Sequence, residues 1–193
     1  MIVNLSGGAG MSAETEEKID AIYDKVVKNN DNIVNLFDNG VISEVAGGFT
    51  GYNTNATRCE TNIGDVLYAK CGMSSGVAID ANNLIDVTDY DALVVEIVGY
   101  SEDAEGSGYN ALFGLINSHK TPTAPAGGSS ADNSHITDYA HKSSFGVGTK
   151  SAILNLINVT GSYYIRFSAH QSNAGGNQYL TINKMYLVKF NNL

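Results

Sequence analysis

From Leu36 onward the apolar residues of this chain recur with a period of two, in short runs bounded by Gly, Asn, Asp and Ser. A strand turns successive side chains to opposite faces, so this period marks sheets with one buried face. An amphipathic helix would repeat near 3.6 instead. The run 162–170 is the cleanest case. Tyr163, Ile165, Phe167 and Ala169 share one face, and Tyr164, Arg166, Ser168 and His170 the other. In 92–98, Leu93, Val95 and Ile97 oppose Glu96. Residues 110–116, Asn-Ala-Leu-Phe-Gly-Leu-Ile, are apolar on both faces, as a central strand is. Near the C-terminus Leu180, Ile182, Tyr186, Val188 and Phe190 share parity, broken only by Lys184. Further strands are expected at 41–45, 57–61, 66–70 and 152–157. No helical period follows residue 40, so the expected fold is all-β, a sandwich of two antiparallel sheets. A chain of 193 residues holds one such sandwich and an appendage without a second core.

The appendage is N-terminal. Residues 1–11 contain Ser6-Gly7-Gly8-Ala9-Gly10 and read as a flexible tail or adapter. Ser12 is a good N-cap, and Glu14, Glu16 and Glu17 follow it where the helix dipole favours negative charge. Ile19, Val26 and Ile33 then occupy heptad a positions, and Ile22, Asn29 and Leu36 occupy d. A stripe limited to a and d is narrow for packing on a globular domain, and Ile at both positions favours trimers. Residues 12–36 are therefore expected to form an oligomerising coiled-coil helix of a homotrimer, with the polar Asn29 in its interior. A helix lying across its own sandwich is the alternative. The β-sandwich is expected to occupy 37–193.

Charge and chemistry narrow the function. A net charge of −9 and a pI of about 4.7 disfavour nucleic acid and anionic membranes as partners. No apolar run approaches the roughly 20 residues of a spanning helix. Met1–Gly10 has neither a basic n-region nor an apolar core, so no signal peptide is expected. A low charged fraction, 16% against a norm of about 25%, suits an all-β protein working outside the cytoplasm, reached by lysis as part of a particle. Gly7–Gly10 follows no strand and is no phosphate loop, and no Gly-x-Ser-x-Gly elbow exists. His119, His135, His141 and His170 lack metal-ligand spacing, so neither a metal nor a cofactor is expected. Asp86, Asp89 and Asp91 flank a turn, where capping of backbone amides is a commoner use than calcium binding. A polysaccharide hydrolase needs two carboxylates across a cleft, and no such pair is legible, so the chain reads as a non-enzyme. Gly64-Asp65 marks a hairpin turn that would set residue 63 opposite 67 and Cys59 opposite Cys71. Two reduced core cysteines and a cross-strand disulfide both fit that placement.

The segment 117–150 is too long for a plain connection. It holds both prolines, Pro122 and Pro125, and three of the four histidines. His119, His135, Asp138, Tyr139 and His141 offer an aromatic face with donors and acceptors, the mix a neutral sugar takes. The outward stripe of Tyr164, Arg166 and His170 is the next candidate. A segment that is mobile, or packed on a neighbouring subunit, is the rival reading. The chain has no Trp, so any aromatic platform falls to tyrosines outside the alternating core positions: Tyr52, Tyr100, Tyr109, Tyr139 and Tyr164.

Four pieces together resemble a known family. They are Asn35-Leu36-Phe37-Asp38-Asn39-Gly40 with Gly47-Gly48-Phe49; Ile85-Asp86-Val87-Thr88-Asp89-Tyr90-Asp91-Ala92-Leu93-Val94-Val95-Glu96; Gly161-Ser162-Tyr163-Tyr164-Ile165-Arg166-Phe167; and Ile182-Asn183-Lys184-Met185-Tyr186-Leu187. In this order they are similar to tail-appendage and receptor-binding modules of bacteriophages and prophages of Gram-positive gut bacteria. The resemblance implies a jelly-roll, galactose-binding-like sandwich, trimeric assembly and a place on a virion, with no catalytic residues. Phe49 stands where such modules often carry Trp. The resulting expectation is a non-enzymatic phage-type tail or fibre module that meets other virion proteins through its N-terminus and recognises host cell-surface carbohydrate. A purely structural virion assembly protein and a polysaccharide-degrading enzyme are the alternatives.

Overall fold

The computed structural model describes residues 32–100, 109–123, 137–144, 150–171 and 177–190. They form strands only, apart from turns and one residue of 3-10 helix, and every strand pairing is antiparallel. In chain order the strands are β1 (Ile33–Asp38), β2 (Val41–Ile42), β3 (Phe49–Asn53), β4 (Cys59–Ile63), β5 (Leu67–Cys71), β6 (Ser75–Ala81), β7 (Ile85–Asp86), β8 (Ala92–Tyr100), β9 (Tyr109–Ile116), β10 (His141–Ser144), β11 (Ser151–Asn155), β12 (Ser162–Gln171) and β13 (Gln178–Val188). One sheet runs β11-β8-β13-β1-β2, with β5 also on β13 and β4 on β5. The other runs β10-β9-β12-β6-β3, with β7 on β12.

A single core joins the two sheets. Phe37, Leu67, Leu93, Val95, Leu180 and Met185 from the first meet Val77, Ile79, Phe113, Leu115, Ile165 and Phe167 from the second. These are the alternate residues of each strand, so the period of two in the sequence is the inward face of a sandwich. In β12, Ile165, Phe167 and Ala169 point inward, and Tyr163 packs on the same core. The strand β9 lies between β10 and β12 and is buried on both faces at Leu112, Phe113, Leu115 and Ile116. The hairpin β4–β5 pairs Ile63 with Leu67 and Cys59 with Cys71, as the Gly64-Asp65 turn predicts. Both cysteines are reduced.

Two expectations need correction. Ile33 and Leu36 are not the last turn of a coiled coil. They belong to β1, where Ile33 pairs with Val188 and Leu36 is fully buried in the core. Ile33-Val34-Asn35-Leu36-Phe37 is rich in β-branched and aromatic residues, and pairing with both β13 and β2 gives it more contact than a solvent-facing helical turn. The sandwich thus begins at residue 33 rather than 37. Ile19, Ile22, Val26 and Asn29, with the 1–11 tail, lie outside the described residues.

The second correction concerns β13, where one parity was expected throughout. Its pairing with β8 shifts register on both sides of Ile182. After this bulge the inward residues become Met185 and Leu187. Tyr186 and Val188 turn to the other face, where they cluster with Ala92 and Val94, against which Ile33 and Ile153 pack. Phe49, which stands where the resembling modules often carry Trp, is a core residue. It is buried edge-on against Phe37, with ring centroids 5.9 Å apart. Asn39 and Gly40, at φ 45° and 88°, make the two-residue turn from β1 to β2.

Candidate functional site

The site is built on the face of the six-stranded sheet that points away from the core. Arg166 of β12 stands directly opposite Asp80 of β6, and both side chains are fully buried. Arg166 Nε donates to Asp80 Oδ1 at 2.6 Å and its Nη2 to Oδ2 at 2.8 Å, a two-pronged pair whose geometry offsets the cost of removing both charges from water. Burial alone would lower the Arg166 pKa. The bonds to Asp80 and its charge outweigh that and hold the guanidinium above its ordinary value. Nη2 also donates to the Lys120 carbonyl, and Nη1 has no partner among the described residues.

Residues 117–123 and 137–140 lie over this face. His119 Nδ1 sits 3.0 Å from Asp80 Oδ2. Asp138 accepts from the Thr123 amide at 2.7 Å and the Thr123 hydroxyl at 2.8 Å, and Lys120 Nζ lies 3.4 Å from it. Burial pulls the Asp138 pKa upward, but the two bonds from Thr123 and the Lys120 charge leave it below the usual carboxylate value. The approach is close: a Cβ on Gly76 would come within 2.6 Å of the Thr123 carbonyl oxygen.

Further along, Tyr139 Oη, Ser168 Oγ and His170 Nε2 form a string with steps of 2.5 and 2.7 Å, and His170 Nδ1 lies 2.8 Å from the Thr123 carbonyl. A carbonyl only accepts, so Nδ1 carries the proton. In the neutral ring Nε2 then accepts from Ser168, which accepts from Tyr139. Burial pushes the Tyr139 phenol far up. Ser168 and His170 have the look of a nucleophile and its base. Both are fully buried, however, and His170 is oriented by a carbonyl rather than a carboxylate, so the string clamps the segment to the sheet.

What this scaffold presents is a ledge of three rings. His119 lies 3.8 Å from the Tyr164 ring at 43° and 5.7 Å from the Tyr52 ring at 14°, centroid to centroid. The Arg166 guanidinium sits 5.8 Å from the Tyr52 centroid. All three rings are partly exposed, and the His119 side chain keeps 26% of its surface. Burial, and then the Asp80 charge, raise the Tyr52 phenol, which keeps it a neutral donor and acceptor.

The two surfaces expected from the sequence therefore merge into one. His119, Asp138 and Tyr139 of the long segment meet Tyr164, Arg166 and His170 of the outward stripe. Within the merged set Asp138, Arg166 and His170 are buried supports, whereas His119 and Tyr164 face solvent in part. His141 stands apart on β10, edge-on to Tyr163 at 5.8 Å. His135 and the side chains of Tyr100 and Tyr109 lie outside the described residues. Sequence reasoning missed Asp80 and placed Tyr52 only among general candidates. The available signal was a lone carboxylate inside the apolar run Gly76-Val77-Ala78-Ile79-Asp80-Ala81. Two of the three turn carboxylates hold backbone amides: Asp86 caps the Thr88 amide and hydroxyl at 3.0 and 2.6 Å, and Asp91 accepts the Phe190 amide at 2.6 Å. A separate polar cleft of about 620 Å³ lies at the β4–β5 edge, lined by Arg58, Cys59, Glu60, Lys70, Met73 and Asn177 among others.

No family model matches the sequence, and neither does any curated protein. Among solved structures the chain is similar to a low-affinity xylan-binding module from the gut symbiont Roseburia intestinalis, at TM-score 0.39 and 10% identity over 73% of this chain and 95% of that one. It is similar to a cleaved adhesin domain of Lys-gingipain from Porphyromonas gingivalis, at TM-score 0.45 and 12% identity over 82% and 99%. It is also similar to an agarase, at TM-score 0.38 and 15% identity over 82% of this chain and 25% of that one.

Proposed function

We propose that this protein is a non-catalytic carbohydrate-binding module whose ligand lies on the Tyr52–His119–Tyr164 ledge. The observation that carries the reading is the ledge itself: three contiguous, partly exposed rings held by a buried ion pair. The apolar C–H face of a sugar packs on such rings, while the tyrosine hydroxyls and Lys120 serve its hydroxyl groups. The carboxylates here are already committed. Asp80 uses both oxygens on Arg166 and His119, and Asp138 uses both on Thr123, which leaves neither as an acid or base for hydrolysis. A shallow ledge gives weak single-site binding, with Kd around 10⁻³ M. Affinity electrophoresis in gels holding neutral polysaccharides tests this, with reducing ends assayed in parallel. Retardation without release of reducing ends is the predicted result. Reproducible release, abolished by a single Asp or Glu substitution, contradicts it.

The finer assignment is a jelly-roll receptor-binding module of a phage-type particle, assembled as a homotrimer. Its support is the sequence resemblance, the Ile19, Ile22, Val26 stripe, and a chain that changes sheet at β2–β3, β3–β4, β5–β6, β7–β8, β8–β9, β10–β11, β11–β12 and β12–β13. Three ledges on one trimer would raise avidity by roughly 10² where all engage together.

A further inference from the structure

The β4–β5 hairpin places Cys59 directly opposite Cys71. Antiparallel partners are of two kinds, and the hydrogen bonds around this pair decide which kind it is. The Gly72 amide donates to the Arg58 carbonyl at 2.8 Å, and the Gly64 amide to the Val66 carbonyl at 3.1 Å. The Cys59 amide donates away from β5, to the Asn55 carbonyl at 2.9 Å. Ladder bonds at 58/72 and 64/66 leave 59/71 as a non-hydrogen-bonded pair. In such pairs the Cα atoms lie about 4.5 Å apart and the side chains lean together. That separation falls inside the range of about 4.4–6.8 Å that a disulfide spans.

The two side chains also share a face. The Cys71 thiol donates to the Ala169 carbonyl at 3.3 Å and the Cys59 thiol to the Gly76 carbonyl at 3.5 Å, on the neighbouring strands β12 and β6 of the opposite sheet. Their accessibility differs. Cys71 is fully buried, and burial, then the nearby Cys59, push its thiol well up. Cys59 is half-buried and forms part of the wall of the polar cleft at the hairpin edge.

We propose that Cys59 and Cys71 are a disulfide-forming pair that cross-links the edge hairpin when the protein meets a small-molecule disulfide. The Cys59 thiolate, reached through the cleft, attacks one sulfur of the oxidant. This forms a mixed disulfide and releases one thiol of the reagent. Cys71 then loses its proton and attacks the Cys59 sulfur. The mixed disulfide breaks, the Cys59–Cys71 bond forms and the second reagent thiol leaves. Two protein thiols are oxidised and one small disulfide is reduced to two thiols. The product ties β4, held to its sheet among the described residues through β5 alone, to the strand that pairs with β13. It does so at the end of the hairpin far from the turn, where it closes the longest loop this hairpin allows.

Oxidised glutathione is the probe. The full chain is incubated with it in excess at mildly alkaline pH, quenched with an alkylating reagent, and read by intact mass, peptide mapping and thermal melting. Both thiols should be lost without retention of glutathione, with a cross-linked Cys59–Cys71 peptide. The melting temperature should rise by several degrees, reversibly with dithiothreitol. Cys71→Ser should trap glutathione on Cys59, whereas Cys59→Ser should leave Cys71 unmodified. Two alkylatable thiols in the folded chain after prolonged oxidation overturn the proposal, as does glutathione retained on Cys59 in the unsubstituted protein. The reagent itself reports on the unsubstituted chain, so the test does not depend on either variant folding.

Discussion

Asp80 is the penultimate residue of β6, which is buried along its whole length. A carboxylate there without a partner would cost several kcal/mol, so the partner is part of the fold. Arg166 supplies it from the neighbouring strand and His119 from above. Breaking a buried pair from one side leaves the other charge stranded. Asp80→Ala is therefore predicted to destabilise the protein by about 3–5 kcal/mol. Replacing both residues by apolar ones, Asp80→Leu with Arg166→Met, should cost clearly less than the sum of the single changes. A denaturant double-mutant cycle measures this, and additive costs would contradict the coupling. Asp138 makes a pH-dependent contribution. Its folded pKa is depressed, so the stability it lends is present above the unfolded value of about 3.9 and is lost as pH falls through the lower folded value. The gap in melting temperature between the native chain and Asp138→Asn should be open near neutral pH and close under strong acid. A gap that is constant with pH contradicts the assignment.

At the scale of elements, the strands with clean alternation were legible and the exceptions have local causes. β12 shows its two faces in sequence because, from Tyr163 to His170, every outward residue is polar or aromatic and every inward one apolar or aromatic. β6 was hidden because a strand buried on both faces loses its period, and Asp80 made the run look unlike a core. β13 misled by its bulge, which reverses parity at the break Lys184 marks. Ile33 and Leu36 misled because an i, i+3 spacing over so few residues satisfies a heptad and a strand entry alike. Half of the site was legible, since outward residues of β12 follow from alternation. That the long segment folds back on those same residues depends on Gly76, which only the structure reveals as a contact point. Gly76→Val is predicted to displace Thr123 and with it His119. Ligand binding should fall severalfold while the strands remain, as read by circular dichroism. Unchanged binding would detach the ledge from that contact.

For the whole molecule, the two faces of the six-stranded sheet divide the labour. The inward face makes the core, and the outward face anchors a segment that completes the ledge. The proposed trimer rests on the Ile19, Ile22 and Val26 stripe and is tested apart from the ledge. Light scattering should give about three times the 20.4 kDa chain mass, and a monomer at micromolar concentration contradicts the trimer while leaving the ledge intact.

Nuclear magnetic resonance with labelled Tyr and His shows whether the rings of the ledge hold the sugar. On titration with neutral oligosaccharides, the Tyr52, His119 and Tyr164 ring signals should move together along one saturation curve. His141 and its core-packed neighbour Tyr163 should stay still. Tyr52→Ala with Tyr164→Ala, in a protein that keeps its melting temperature, should weaken binding by about fivefold or more, given roughly 0.5–1.5 kcal/mol per ring. Saturable shifts confined to other residues, or binding unchanged in the double variant, would contradict the account.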